Sequence, residues 1–316
     1  MMTRLMLLLL ALAAGLAVAY RVRNPEKRTL DDAARVGVPG RFVRLADGVT
    51  HYDVSGPDSG QRVLLVHGFS TPYYIWDSTA VALSAAGFRV ARFDLFGRGY
   101  SDRPDVAYSA DLFDRQVSEL LDSLGWTDPI DIVGLSMGGM VVGAFTGRHP
   151  ERVRSMTMVD PAAGPRETLP KMFTPPVVGP LLWQMVTVPG MANGQSSDFF
   201  EPARWPDWAD RYRVQMQYRG FGRALRSTIM NWPGLDTLYA AVGKRGTRSL
   251  LIWGQEDRTV PIAFSAMVRK AIPQIEFHPI DRAGHLPHME RTDVVNPLLI
   301  GFLRGEPTAS GSAARH

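Results

Sequence analysis

Short runs of consecutive apolar residues alternate along the chain with longer runs whose apolar residues recur every three or four positions. The first kind predicts buried strands and the second predicts amphipathic helices. Buried strand-type runs lie at residues 62–68, 88–94, 130–136, 153–160, 248–254 and 275–280, and helix-type runs at 76–86, 109–124, 137–148, 262–271 and 294–303. Ahead of them, RFVRLADG and THYDVSG are typical of two strands joined by a turn at Asp47 and Gly48. The pattern predicts an α/β fold with a mostly parallel eight-stranded sheet and helices on both faces.

The alternation stops after residue 161 and resumes at residue 248. The intervening stretch is rich in proline, methionine and aromatic residues and contains no strand-type run. We predict that residues 162–242 form a helical cap inserted between strands 6 and 7, the alternative being that they simply complete the core. The core then comprises residues 24–161 and 243–305, and the small polar residues of the tail, 306–316, are predicted to be disordered.

The N-terminus carries an uncharged apolar run at residues 5–20. As a helix this run would be about 24 Å long, slightly less than the ~30 Å hydrocarbon core of a bilayer. Two interpretations of residues 1–23 stay open: a signal peptide cleaved after Ala17-Val18-Ala19, or an uncleaved membrane anchor. The bases that follow favour the anchor, with the catalytic domain in the cytoplasm; cleavage would instead give a secreted or periplasmic protein. Those bases are Arg21, Arg23, Lys27 and Arg28.

Composition excludes some classes of function. The chain has 316 residues, a net charge of +4 and 21% charged residues, but no block of five or more lysines and arginines, so we expect no nucleic-acid partner. It contains no cysteine, which excludes disulfides, thiol catalysis and zinc–thiolate sites. We expect neither a metal nor a cofactor, and the oligomeric state stays open.

The strongest chemical signal is Gly134-Leu135-Ser136-Met137-Gly138. The spacing G-x-S-x-G, placed after a predicted strand and before a predicted helix, is typical of a nucleophile elbow. The serine must occupy a strained turn, and small residues are required where the strand and helix backbones nearly touch. We therefore predict that Ser136 is a catalytic nucleophile.

A serine nucleophile needs a base and an acid that orients the base. His285 follows the last predicted strand, and Asp257 follows the strand before it, so both should lie at the carboxyl edge of a parallel sheet. We predict a triad of Ser136, Asp257 and His285. His288 is the rival base and Asp160 the rival acid, whereas Glu256 is expected to point elsewhere.

The oxyanion hole is predicted from position. The backbone N–H of Met137, directly after the nucleophile, should be one donor. The N–H of Phe69, in the loop after the RVLLV strand, should be the other, and both residues should contact the substrate. His67 in the same loop is expected to be structural, and Gly97-x-Gly99 is expected to shape the mouth of the site rather than bind phosphate.

The chain resembles the α/β-hydrolase superfamily over about residues 40–305. The matching motifs are LLVHGFS, DLFGRGYSDRP, GLSMGG, WGQEDRTVP and GHLPHME. The serine elbow is similar to that of lipases and esterases, unlike haloalkane dehalogenases and epoxide hydrolases, which have aspartate there. The HGFS loop and aromatic-rich cap are similar to monoacylglycerol lipases and membrane-anchored relatives. The loop departs from the HGxGPG loop of carbon–carbon bond hydrolases.

These observations predict a serine hydrolase that cleaves carboxylic esters of lipophilic substrates, such as a monoacylglycerol, through an acyl-enzyme. The alternatives are thioester, amide or carbon–carbon bond hydrolysis or perhydrolysis on the same triad, and a non-catalytic ligand-binding protein. The expected partners are a small lipophilic ester and, through the N-terminal segment, a membrane.

Overall fold

The computed structural model of the chain describes residues 2–165, 168–232 and 235–307. In this part of the chain, eight strands form one sheet in the order β1-β2-β4-β3-β5-β6-β7-β8. Strands β1 and β2 pair antiparallel, β2 pairs antiparallel with β4, and all other pairs are parallel. The predicted eight-stranded, mostly parallel sheet is therefore confirmed. The strands are β1 Arg41–Leu45, β2 Gly48–Ser55, β3 Arg62–Val66, β4 Arg89–Phe93, β5 Ile130–Leu135, β6 Val153–Val159, β7 Arg248–Gly254 and β8 Glu276–Ile280.

Helices cover both faces of the sheet, as the alternation predicts. Alternate residues of the central strands point to opposite faces, so Leu64 and Ile132 join one apolar cluster, and Leu65 and Val133 join the other. The described α-helices are α1 Met2–Arg23, α2 Asp32–Arg35, α3 Asp77–Ala85, α4 Ala110–Ser123, α5 Met137–Arg148, α6 Val178–Leu182, α7 Met191–Gly194, α8 Trp208–Met216, α9 Phe221–Asn231, α10 Leu235–Arg245, α11 Ser265–Ala271, α12 Pro287–Glu290 and α13 Thr292–Arg304.

The cap lies between β6 and β7 and has an apolar cluster of its own. Helices α6 to α9 contribute to it, with a π-helical turn at Trp183–Thr187 directly after α6. Phe69 packs against both this cluster and the core cluster of the sheet. The side chain of a predicted oxyanion residue thus lies where the cap meets the core.

The predicted end of the cap, residue 242, is too late. Helix α10 packs against α5 and α11, and Tyr239 and Val242 belong to the core cluster. A crossover helix is needed to bring the chain back to the parallel strand β7, and α10 takes this place. The predicted cap boundary is wrong because α10 belongs to the core.

Helix α1 contains an apolar stretch, Arg4–Arg23, that is long enough to cross a membrane by length and composition alone. A signal sequence would pass the same test, so this helix is only weak support for the predicted anchor. Of the tail predicted to be disordered, residues 308–316 lie outside the described residues.

Candidate active site

Ser136 occupies a strained turn between β5 and α5. Its φ of 53° and ψ of −121° are unusual for a residue with a side chain. Three backbone hydrogen bonds hold the turn: Ser136 N–H donates to the Val159 carbonyl (2.9 Å), and the Ser136 carbonyl accepts from Gly139 N–H (2.8 Å) and Ala162 N–H (3.0 Å). This is the backbone geometry that a nucleophile elbow requires.

The glycines beside Ser136 are a steric condition of the turn. A Cβ at Gly134 would collide with the carbonyl of Gly138, and a Cβ at Gly138 would collide with the carbonyl of Val66. Gly68, in the loop after β3, lies close to the serine, since a Cβ added at this glycine would lie 3.2 Å from Ser136 Cβ. The turn after β5 and the loop after β3 therefore touch at the serine.

His285 and Asp257 form a buried pair at the ends of the last two strands. His285 Nδ1 lies 2.7 Å from Asp257 Oδ2, and the other carboxylate oxygen accepts the N–H groups of Thr259 and Val260, both at 2.8 Å. Burial works to lower the pKa of His285, but the hydrogen bond and negative charge of Asp257 leave it raised. The imidazole is thus oriented by an acid that is itself held by its own loop.

Ser136 and His285 both lie at the carboxyl edge of the sheet, at the ends of β5 and β8. No hydrogen bond joins them within the part of the chain that the structure describes. In free serine hydrolases this contact is often long and shortens when substrate binds. The structure therefore brings acid and base into contact, and the step from base to nucleophile stays a prediction.

Asp160, the rival acid, lies at the end of β6 and has very different surroundings. Its φ is 41°, and its Oδ1 accepts the Gly254 N–H at 2.9 Å, whereas its buried Oδ2 has no donor among the described residues. One oxygen of Asp160, one of Asp257 and one nitrogen of His285 lie within 4.8 Å of one another. Burial and the charge of Asp257 hold the pKa of Asp160 well above its ordinary value. Burial and the neighbouring charge of Asp257 therefore favour the neutral form of Asp160 over the ionised form.

The other residues considered as alternatives have structural partners. His288 Nε2 bonds to the Ile75 carbonyl at 3.1 Å, and burial lowers the pKa of His288 to about 3. His67 Nε2 accepts the Leu95 N–H at 2.9 Å, and burial lowers the pKa of His67 to about 4. Glu256 accepts the Ala283 N–H at 3.0 Å.

The loop that carries Phe69 is held by a buried arginine from the loop after β4. Arg98 is fully buried; its Nε donates to the Phe69 carbonyl (2.7 Å), and its terminal nitrogens donate to the Phe96 carbonyl and the Thr228 hydroxyl. Burial lowers the pKa of Arg98 to about 10, so it stays charged at neutral pH. No acidic partner of Arg98 occurs within residues 2–165, 168–232 and 235–307. The oxyanion roles of the Phe69 and Met137 amides stay predictions, and Arg98 holds the Phe69 carbonyl in the same loop.

Comparison with known proteins agrees with this arrangement. The sequence profile of the alpha/beta hydrolase fold matches residues 61–292, which include the elbow, Asp257 and His285. The chain belongs to the α/β-hydrolase family. The expectation drawn from the motifs is therefore confirmed at the level of family and fold.

Individual relatives of this α/β hydrolase have different named activities. It is 27% identical to a 2-hydroxy-6-oxononadienedioate/2-hydroxy-6-oxononatrienedioate hydrolase of Dechloromonas aromatica, over 87% of this chain and 98% of that protein. It is 25% identical to Lipase 3 of a Moraxella species, over 73% of this chain and 74% of that protein. Among solved structures, a meta-cleavage product hydrolase from Pseudomonas fluorescens superposes with a TM-score of 0.70 at 26% identity, covering 84% of this chain and 98% of that one.

Two acids of this hydrolase were missed at the sequence level, and both fasten the His285 loop to the cap. Glu290 accepts the N–H groups of Gly284 and Phe200, each at 2.7 Å. The Asp198 carbonyl accepts the His285 N–H at 2.7 Å, and the Asp198 carboxyl accepts the Thr259 hydroxyl at 2.7 Å. A buried acid in the GHLPHME motif was a possible signal for Glu290, whereas nothing local distinguishes Asp198.

Proposed function

We propose that this protein is a serine hydrolase that uses Ser136 as nucleophile, His285 as base and Asp257 as orienting acid. The observation that carries the proposal is the buried 2.7 Å contact between His285 Nδ1 and Asp257 Oδ2, at the same sheet edge as the strained Ser136 turn. Strained backbone at a serine between small residues is costly and persists where function requires it.

The reaction follows from the positions of the three side chains. Ser136 Oγ attacks the carbonyl carbon of the substrate while His285 Nε2 accepts the hydroxyl proton. Asp257 holds the Nδ1–H tautomer and stabilises the imidazolium that forms. The proton passes to the leaving group, and water then releases the acyl group by the same base catalysis. The N–H groups of Phe69 and Met137 are proposed to bind the oxyanion. Arg98 holds the Phe69 carbonyl, which belongs to the next peptide unit of the same loop.

We propose an uncharged lipophilic acyl ester as substrate. Phe69 packs against cap residues that include Phe173, Trp183 and Val188, and residues 172–197 of the cap contain no charged side chain. Such a wall suits a neutral acyl chain better than a charged one.

Carbon–carbon bond hydrolysis is the second candidate, and the relatives favour it. The Dechloromonas relative is named for a dicarboxylic acid that carries an oxo group, and the Pseudomonas structure is of a meta-cleavage product hydrolase. The same triad could act on such a ketone. A dianionic substrate would, however, need cationic partners, and the buried Arg98 already donates to Phe69, Phe96 and Thr228. We therefore rank this activity second, because its substrate carries two negative charges.

A fluorophosphonate probe tests the nucleophile. We expect stoichiometric labelling of the wild type and of Ser123→Ala, a control on α4, and no labelling of Ser136→Ala. Labelling that survives Ser136→Ala would overturn the proposal.

A substrate panel separates the two bond types. It contains neutral esters graded by acyl chain length and a 2-hydroxy-6-oxo-dienedioate. We expect kcat/KM to rise with chain length and to exceed the value for the dienedioate by at least about tenfold. The reverse order would assign carbon–carbon bond hydrolysis.

We further propose that α1 is an uncleaved anchor that holds the catalytic domain at the cytoplasmic surface. The support is the apolar run of α1 and the four basic residues after that run, Arg21, Arg23, Lys27 and Arg28. An intact N-terminus in the membrane fraction is expected, and a mature chain that starts near Tyr20 would show cleavage instead.

A further inference from the structure

One segment of the cap lacks charge although much of it faces solvent. Residues 172–197 contain no Asp, Glu, Lys or Arg, in a chain where 21% of residues are charged. Its exposed large apolar side chains, here called the apolar cap face, are between 46% and 73% exposed. They are Met172, Val177, Val178, Leu181 and Val186. Soluble surfaces seldom group such side chains without a partner.

The opposite side of the same segment faces inward. Phe173, Trp183 and Val188 are buried in the cap cluster, against which Phe69 of the candidate active site packs. The segment therefore lies between the solvent and the candidate site, with apolar side chains in both directions.

The residues directly after α1 are hydrogen-bonded to this part of the cap. Asn24 Oδ1 accepts the side-chain amide of Gln184 at 2.7 Å, and Gln184 belongs to the same π-helical turn as Val186. Glu26 accepts the N–H groups of Gly220 and Gly222, each at 2.7 Å, at the start of α9.

Arg28 adds a backbone connection to the cap. Its N–H donates to the Gln217 carbonyl (2.8 Å), and its carbonyl accepts from Arg219 N–H (2.9 Å). The apolar helix α1, which also contacts the π-helical turn, thus leaves the protein beside the apolar cap face. Arg21, Arg23 and Lys27 lie at this junction, where they could meet anionic headgroups.

We propose that the apolar cap face docks on the surface of an anionic lipid bilayer, next to the point where α1 enters it. Five apolar side chains leave water while the bases at the end of α1 contact headgroups, as in interfacial helices. This inference does not depend on the bond that the enzyme cleaves. It adds that a lipophilic molecule would reach the cap from the lipid side.

The absence of cysteine allows a direct test on the full chain. Val178→Cys is labelled with an environment-sensitive fluorophore, and the protein is reconstituted in phosphatidylcholine vesicles containing phosphatidylglycerol and nitroxide-labelled lipids. Val81→Cys is the matched control, since Val81 is an exposed valine on α3, outside the cap. We expect a blue shift and at least about threefold quenching at position 178, with little quenching at position 81.

Two results would overturn the proposal. One is equally weak quenching at both positions. The other is energy transfer between labels at position 178 that increases with protein density without lipid quenching, because it would show that a second copy of the chain covers the face.

An activity measurement separates this inference from the proposed function. Val178→Asp with Leu181→Asp is expected to lower hydrolysis of a vesicle-embedded ester about tenfold and to leave hydrolysis of a soluble short-chain ester unchanged. Val81→Asp should change neither. If no ester is cleaved at all, the proposed function fails, but the quenching experiment still decides whether the face meets lipid.

Discussion

The ends of β6 and β7 each present a buried aspartate, but the two carboxyls have opposite surroundings. Asp257 accepts hydrogen bonds from the Thr259 and Val260 amides and contacts His285, so both of its oxygens are occupied. Asp160 accepts one, from the Gly254 amide, and its other oxygen has no donor in the described part of the chain. Hydrogen-bond donors favour the ionised form of a buried carboxyl, and burial with few donors favours its neutral form. The donors, rather than the residue type or the strand end, therefore assign the two roles.

Glu290 is a third buried acid near this edge and shows a third role. It accepts the amides of Gly284, Phe200 and Glu201, the last at 3.3 Å, and among the described residues no imidazole forms a hydrogen bond with it. Its oxygens connect two backbone segments, so it is a positioning residue. The three acids thus differ in their partners: Asp257 contacts an imidazole, Asp160 accepts one amide and Glu290 joins two backbone segments.

Removing the charge of Asp257 should have the largest effect on this comparison. Asp257→Asn leaves an amide that can stabilise the wrong imidazole tautomer, and we expect kcat/KM for the best ester to fall about 10³–10⁴-fold. Asp160→Asn is the matched control at the neighbouring strand end, and we expect its kcat/KM to stay within about threefold of wild type. If the two substitutions exchanged these effects, Asp160 would be the catalytic acid.

The pH dependence of kcat/KM tests the His285–Asp257 contact. His285 must be neutral to accept the serine proton, so activity falls as the pH drops through its pKa, by about tenfold per unit. Because Asp257 raises the pKa of His285 above its ordinary value of 6.5, the acid limb should lie above that pH. The residual activity of Asp257→Asn should show the limb moved to lower pH. An unmoved limb would assign it to another group.

Loosening the loop that carries His285 should lower activity less than altering Asp257. Glu290→Gln replaces one carboxylate acceptor by a donor, so one of the amides of Gly284 and Phe200 loses its partner. We expect kcat to fall about tenfold with a smaller change in KM, since the base is displaced rather than the substrate wall. Glu119→Gln is the control, because Glu119 also accepts a backbone amide, that of Ala46, far from the site. A change confined to KM would contradict a positioning role.

The Ser136 turn was predictable because its determinants are local. A strand, the G-x-S-x-G spacing and a helix follow one another within 19 residues. The spacing is explained by Gly134 and Gly138, since a side chain at either would collide with a backbone carbonyl. The parallel sheet then brings strand ends together, which is why Asp257 and His285 could be proposed as partners before any distance was known. In the structure, His285 Nδ1 lies 2.7 Å from Asp257 Oδ2.

The supports of the site could not be predicted, because they are contacts between distant parts of the chain. Glu290 meets Phe200 across 90 residues, and Arg98 meets Thr228 across 130. The prediction that placed α10 in the cap failed for a related reason. An amphipathic helix has the same pattern whether its apolar side packs on a cap or on α5.

Asp160→Asn should have the smallest effect on activity and an informative effect on stability. The amide keeps the hydrogen bond from Gly254 through its oxygen, and its nitrogen adds a donor beside the Asp257 carboxylate. Wild-type Asp160 is protonated in the folded state above the pH at which it ionises in the unfolded state, because its folded pKa is raised. As the pH rises from about 3.8 to the folded pKa, unfolding releases this proton, and the wild type loses stability.

The Asp160→Asn side chain carries no such proton, so the variant should gain stability relative to wild type across this window and keep a constant advantage above it. We expect a melting temperature a few degrees higher at pH 8 and a difference that shrinks towards pH 4, measured by calorimetry. Asp160→Leu, which cannot accept the Gly254 N–H, should melt below the wild type at pH 4. A difference between Asp160→Asn and wild type that does not vary with pH would mean that Asp160 is ionised in the folded protein, and the contrast between the two strand ends would then disappear.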